Sequence, residues 1–101
     1  MSLYPIASCI VEVGDYKRNR VLKYELSGSG HFCDIPYIIS RSYDINDVIK
    51  VVLAPNPMRA AEEVFRIPEA LAILQRRGQI AIYAGDGTEY ILAFKGEEPI
   101  E

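Results

Sequence analysis

The most reactive side chains of this sequence lie close together at His31, Cys33 and Asp34. Positions 31 and 33 share one face of a strand, so an imidazole and a thiol could converge there. Such a pair could supply a general base and a thiolate nucleophile, or two zinc ligands with Cys9 as a third. The sequence has no Cys-x-x-Cys pair and no second histidine. It therefore favours two small core thiols and a turn histidine, and no metal or cofactor is expected.

Two connectors carry the candidate residues for binding RNA or a nucleotide, a basic loop over 15–20 and a glycine turn over 27–30. Arginine beside an aromatic ring can contact the phosphate backbone and stack on bases. Successive glycines can present backbone N–H groups to a phosphate, although known phosphate loops join a strand to a helix. The simpler interpretation is a solvated loop and a hairpin turn. The candidate residues are Tyr16, Lys17, Arg18, Arg20, Ser27, Gly28, Ser29 and Gly30.

Composition limits the classes of protein to which the chain can belong. Its 101 residues suit one domain, and half of them are hydrophobic. The net charge of -3 is unlike the basic balance of a typical nucleic-acid binder. No apolar run approaches the ~20 residues that span a bilayer, and the N-terminus does not resemble a secretory signal. With only two cysteines, we expect a cytoplasmic protein whose thiols stay reduced.

Strands are predicted at both ends of the chain. Residues 4–13 alternate so that Cys9, Val11 and Val13 face a core, and further strands are expected over 21–26 and 31–39. Residues 79–84 and 88–94 form a predicted hairpin around a Gly-Asp-Gly turn. We expect the acidic tail, residues 97–101, to fray.

The middle of the chain is predicted to be helical, with one ambiguous segment. Residues 44–53 contain enough β-branched residues for a buried strand. However, Asp44 as an N-cap and a helical apolar period together favour a helix. Asn56 and Pro57 predict the start of the next helix, Pro68 a break, and Gly78 the end of a third helix.

These elements predict a single α+β domain over residues 1–101. It would contain one antiparallel or mixed sheet of about five strands with two to three helices (residues 44–77) packed on one face, in the order βββααα(ββ). We expect a second copy to cover the other face, giving a homodimer. The residues expected on that face, depending on register, are Tyr24, Ile35, Tyr37, Tyr83 and Tyr90.

Three functions are compatible with this sequence. The favoured one is an accessory or interaction protein that acts through a homo- or hetero-oligomeric interface, because apolar content is high and no catalytic set is evident. The first alternative is RNA or nucleotide binding through the 15–20 loop and the 27–30 turn. The second is a small thiol- or metal-dependent enzyme built around His31 and Cys33.

Overall fold

The computed structural model describes residues 3–4, 8–28, 30–31 and 35–100. Its strands are β1 (Leu3–Tyr4), β2 (Ser8–Asp15), β3 (Arg20–Ser27), β4 (Gly30–His31), β5 (Ile35–Ser40), β6 (Val48–Ala54), β7 (Gln79–Ala84) and β8 (Glu89–Pro99). Its helices are α1 (Pro57–Val64) and α2 (Pro68–Arg77). Strands β1 and β4 form a small separate pair, and the other six form one antiparallel sheet in the order β2-β3-β8-β7-β5-β6.

The α+β fold that we predicted is wrong in its numbers of strands and helices. The main sheet has six strands rather than about five, and the described residues contain two short helices rather than helices throughout 44–77. The segment 44–53 contains most of strand β6, which pairs with β5. Its β-branched residues suit extended backbone, and long-range pairing outweighs the local helical period. Asp44 forms a turn instead of a helix cap, since its Oδ1 accepts from the Asn46 N–H at 2.9 Å.

The helix boundaries expected after residue 55 are found in the structure. The side chain of Asn56 caps α1 by accepting the Arg59 N–H at 2.9 Å. Pro68 begins α2, and Gly78 ends it in the left-handed conformation at φ 78°. Both helices bury small and branched side chains against the sheet, including Ala60, Val64 and Leu74.

The core lies between the helices and one face of the sheet. The strand register places most buried residues of the six strands on this helix side, where Tyr37, Ile82 and Leu92 are fully buried, whereas Ala81 and Tyr83 of β7 are buried on the opposite face. No helix of the described residues packs on the opposite face, and we call it the open face. The molecule measures 40 × 28 × 18 Å, as expected for a slab of two layers.

The C-terminal strand is longer than the predicted return strand. Strand β8 pairs with β3 as far as Arg20 opposite Pro99, and the Ile100 N–H donates to the Asn19 carbonyl at 3.0 Å. Residues 97–100, for which the sequence suggested fraying, are therefore hydrogen-bonded to the neighbouring strand and its turn. In the part of the chain described, no helix is long and apolar enough to cross a membrane.

Candidate functional site

The structure separates the two connectors that were candidates for RNA or nucleotide binding. The basic loop 15–20 forms the turn between β2 and β3, whereas Gly28 follows the other end of β3. The eight residues of β3 span roughly 25 Å between them. Ser29 lies outside the described residues, and Gly30 belongs to the separate strand β4. One small ligand could not contact both connectors.

Among the candidate residues Cys9, His31 and Cys33, the structure describes the side chain of Cys9. Cys9 is half-buried on the helix side of β2, and burial raises the pKa of its thiol. The backbone of His31 pairs with Leu3 in the small β1–β4 pair, and Cys33 lies outside the described residues. Within the ranges described, no three His, Cys, Asp or Glu side chains are grouped to hold a metal ion.

Carboxylates of the same chain already pair with two of the three cations of the basic loop. Arg20 forms an ion pair with Glu97 at 2.9 Å, and Arg18 lies 3.6 Å from Asp15. Lys17 has no carboxylate partner among the described residues. A polynucleotide would therefore have to displace carboxylates from two of these three cations.

The basic loop forms one wall of a cleft on the helix side of the sheet. Two adjoining chambers of about 330 and 300 Å³ share Arg18, Leu22, Tyr24 and Gln75, and together we call them the hairpin–helix cleft. It exists because the helices pack on β5, β6 and β7, leaving the turn end of the β2–β3 hairpin partly uncovered. Leu22 and Val13 are accordingly only half-buried there.

Tyr24 forms the floor common to both chambers. Its ring lies between those of Phe65 and Phe94, with centroid distances of 5.0 and 5.4 Å. Burial, with smaller effects of Asp15 and Glu97, raises the pKa of Tyr24. The hydroxyl therefore stays protonated at neutral pH and can donate a hydrogen bond.

The open face has two contrasting halves. On β2, β3 and β8 it carries ion pairs: Lys23 contacts Glu98 at 2.7 Å and Lys95 contacts Glu25 at 2.7 Å. Such charged positions are usual on a sheet face that contacts water.

On β5 and β6 the open face is apolar instead. Ile38 lies opposite Val51, and Pro36 lies opposite Leu53. Val51 is 53% exposed and Leu53 is 74% exposed. We call these four residues, Pro36, Ile38, Val51 and Leu53, the apolar patch. The apolar patch lies at the edge of a sheet whose other half carries ion pairs on the same face. Such an exposed, uncharged surface is a candidate contact surface.

The loop 41–47 connects β5 to β6 and packs beside β7. Ser40 is fully buried, and its hydroxyl contacts the carbonyl oxygens of Asp44 at 2.7 Å and Asp47 at 2.9 Å. This holds the loop near Tyr83, whose hydroxyl donates to Glu89 at 2.7 Å. The loop also presents Tyr43 and Ile45, which are both exposed.

The sequence predicted an uncovered face of the sheet but assigned most of its residues wrongly. Of the five residues expected on the uncovered face, Tyr83 lies on the open face and the other four lie on the helix side. The period-2 pattern of β6 would have identified Val51 and Leu53, had the segment been assigned as a strand. No sequence signal joined Tyr24, Phe65 and Phe94 in a cleft, because they come from three separate elements.

Comparison with family models, with curated proteins and with solved structures finds no match to this chain.

Proposed function

We propose that this protein is an interaction protein that associates with a second copy of itself through the apolar patch. The observation that carries the proposal is the exposure of Val51 and Leu53 on a strand face where the other half of the same sheet carries charges. Fully burying side chains of this type contributes about 1.5–3 kcal/mol each relative to leaving them exposed.

The shape and chemistry of the patch suit an identical partner. A two-fold interface brings the same surface of each copy together, so an uncharged patch meets another uncharged patch. The open-face positions on β5 and β6 include no charged residue among those described.

The charged half of the open face would lie outside this contact. Its carboxylates and ammonium groups already have partners within one chain, including Lys23 with Glu98 and Lys95 with Glu25. They would therefore stay solvated and keep the dimer from growing into larger assemblies. The proposal also includes the cytoplasmic location predicted from the sequence, where Cys9 would remain reduced.

Sedimentation equilibrium of the full chain tests the proposal. At tens of micromolar we expect a mass near twice the 11.4 kDa of one chain, falling towards one chain on dilution. A constant single-chain mass over that range would contradict self-association. A heteromeric partner would then be the next candidate for the same patch.

A further inference from the structure

The hairpin–helix cleft lies on the side of the sheet opposite the apolar patch, so a dimer through that patch leaves it accessible. Its two chambers, of about 330 and 300 Å³, are within the range of sites that hold small molecules. One chamber is lined by Leu74, Gly78 and Phe94, and the other by Val13, Phe65 and Leu71. An apolar body of about ten heavy atoms would fit in either chamber.

The polar end of a largely buried tyrosine lines this cleft. Tyr24 is only 3% exposed, yet its hydroxyl has no hydrogen-bond partner among the described residues. Tyr24 lines one chamber together with Glu97 and the other together with Asp15. The hydroxyl opens into the cleft, so it can donate a hydrogen bond to a ligand bound there.

The mouth of the cleft favours an anion. In the chamber lined by Asp15, Lys17 and Arg18, two cations face one carboxylate, which leaves one net positive charge. Arg20 is committed to Glu97 at 2.9 Å.

Arg18 is the cation best placed to bind a ligand. Its side chain is 70% exposed, and its Nε lies 3.6 Å from Asp15, which is longer than a charge-assisted hydrogen bond. Arg59 and Arg66, on the surface of the helices, instead contact their carboxylates at 2.9 Å. Arg18 lines both chambers, so its unused N–H donors can meet a carboxylate at the mouth of either one.

We propose that the hairpin–helix cleft binds a small carboxylic acid with an aromatic or branched aliphatic body. The carboxylate binds Arg18, with Lys17 nearby, and the apolar body lies on Leu22 and the ring of Tyr24. The Tyr24 hydroxyl donates a hydrogen bond to the ligand. Charge complementarity at the mouth selects an acid over the corresponding neutral amide.

Titration of the full chain with 3-phenylpropionate, followed by amide NMR, tests this site. We expect saturable shifts confined to the residues that line the cleft, in the β2–β3 hairpin, α2 and β8, with a dissociation constant of roughly 0.1–1 mM for a ligand of this size. The neutral isostere 3-phenylpropanamide should bind about tenfold more weakly, since it lacks the charge-assisted hydrogen bonds.

Two arginine variants show whether Arg18 is responsible for the selectivity. Arg18→Gln should bind the acid and the amide with equal affinity. Arg59→Gln removes a comparable exposed arginine from α1 and should keep the tenfold preference. Loss of the preference in both variants would overturn the proposal, as would equal affinities of the wild-type chain for acid and amide.

Tyr24→Phe tests the hydrogen bond to the ligand. Because the hydroxyl has no protein partner, the variant should fold with wild-type stability and bind the acid several-fold more weakly. A wild-type affinity for 3-phenylpropionate in this variant would exclude the hydroxyl from the site. Absence of saturable shifts in the wild-type chain would overturn the whole proposal.

Discussion

Val51 lies directly opposite Ile38 across the β5–β6 pair, on the face of the sheet that carries no helix. At the other end of the same face, Lys23 lies opposite Glu12. Equivalent positions of one sheet thus carry an aliphatic pair in one half and a charged pair in the other. Contact with a second copy gives a physical reason for this difference, because the buried half must exclude charge.

The hydrogen bond from Tyr83 to Glu89 should make stability fall at high pH. Burial, followed by this hydrogen bond, raises the pKa of Tyr83 to about 12. An unfolded tyrosine ionises near pH 10, so the stabilisation is complete below that value and is lost as the pH rises from about 10 to 12. In urea unfolding at pH 8, the unfolding free energy of the wild type should exceed that of Tyr83→Phe by about 1.5 kcal/mol. This difference in unfolding free energy should shrink by pH 11.

A second tyrosine variant controls for general effects of alkali. Tyr16 lies exposed in the β2–β3 turn, so the unfolding free energy of Tyr16→Phe should fall with rising pH as that of the wild type does. The assigned hydrogen bond would be contradicted if the difference in unfolding free energy between the wild type and Tyr83→Phe were the same at pH 8 and pH 11.

The buried hydroxyl of Ser40 should hold the loop 41–47 in place. Ser40→Ala removes the contacts with the Asp44 and Asp47 carbonyls and should cost about 1 kcal/mol of unfolding free energy, with faster hydrogen exchange at Asp47. Ser42 is the matched control, since its hydroxyl donates to the Asp47 carboxylate at 3.1 Å and accepts the Asp44 N–H at 3.3 Å from a position that is only partly buried. If Ser42→Ala were as destabilising as Ser40→Ala, the buried contact would not be the cause.

Two glycines with positive φ should respond differently to alanine. At Gly28, φ is 144° and an added Cβ would lie 2.5 Å from Cδ1 of the buried Tyr90 ring. Gly28→Ala should therefore cost about 3 kcal/mol, from backbone strain and overpacking together. Gly78 has φ 78° and open space around it, so Gly78→Ala should cost about 1 kcal/mol. Thermal unfolding of both variants measures the difference, and equal losses would show that contact with Tyr90 has no effect.

The sequence predicted those parts of the fold that depend on local chemistry. Asn56 and Pro57 start a helix, and Gly78 ends one. Each of them supplies a hydrogen bond to an unpaired backbone group at the helix end, or removes such a group, within a few residues. The segment 44–53 was misassigned because Asp44 satisfies neighbouring N–H groups equally well in a turn. Its strand state is fixed by pairing with β5, which no local pattern reveals.

The candidate site was only partly predictable for the same reason. The sequence selected Arg18 and Lys17, which do line the hairpin–helix cleft. It could not place Tyr24 between Phe65 and Phe94, since this arrangement depends on where the short helices end against the sheet. The functional interpretation of the basic loop therefore changes from a polynucleotide surface to the mouth of a small cleft.

The mass of two lysine variants in solution tests self-association most directly. Val51 and Ile10 lie on the open face and are 53% and 52% exposed, but only Val51 belongs to the apolar patch. In sedimentation equilibrium, Val51→Lys should weaken the dimer by about 100-fold, because an unpaired ammonium would be buried in the contact. Ile10→Lys should leave the wild-type dimer intact, and neither variant should change monomer stability by more than about 0.5 kcal/mol. A dimer that survives Val51→Lys, or one that is lost equally in Ile10→Lys, would contradict association through the apolar patch.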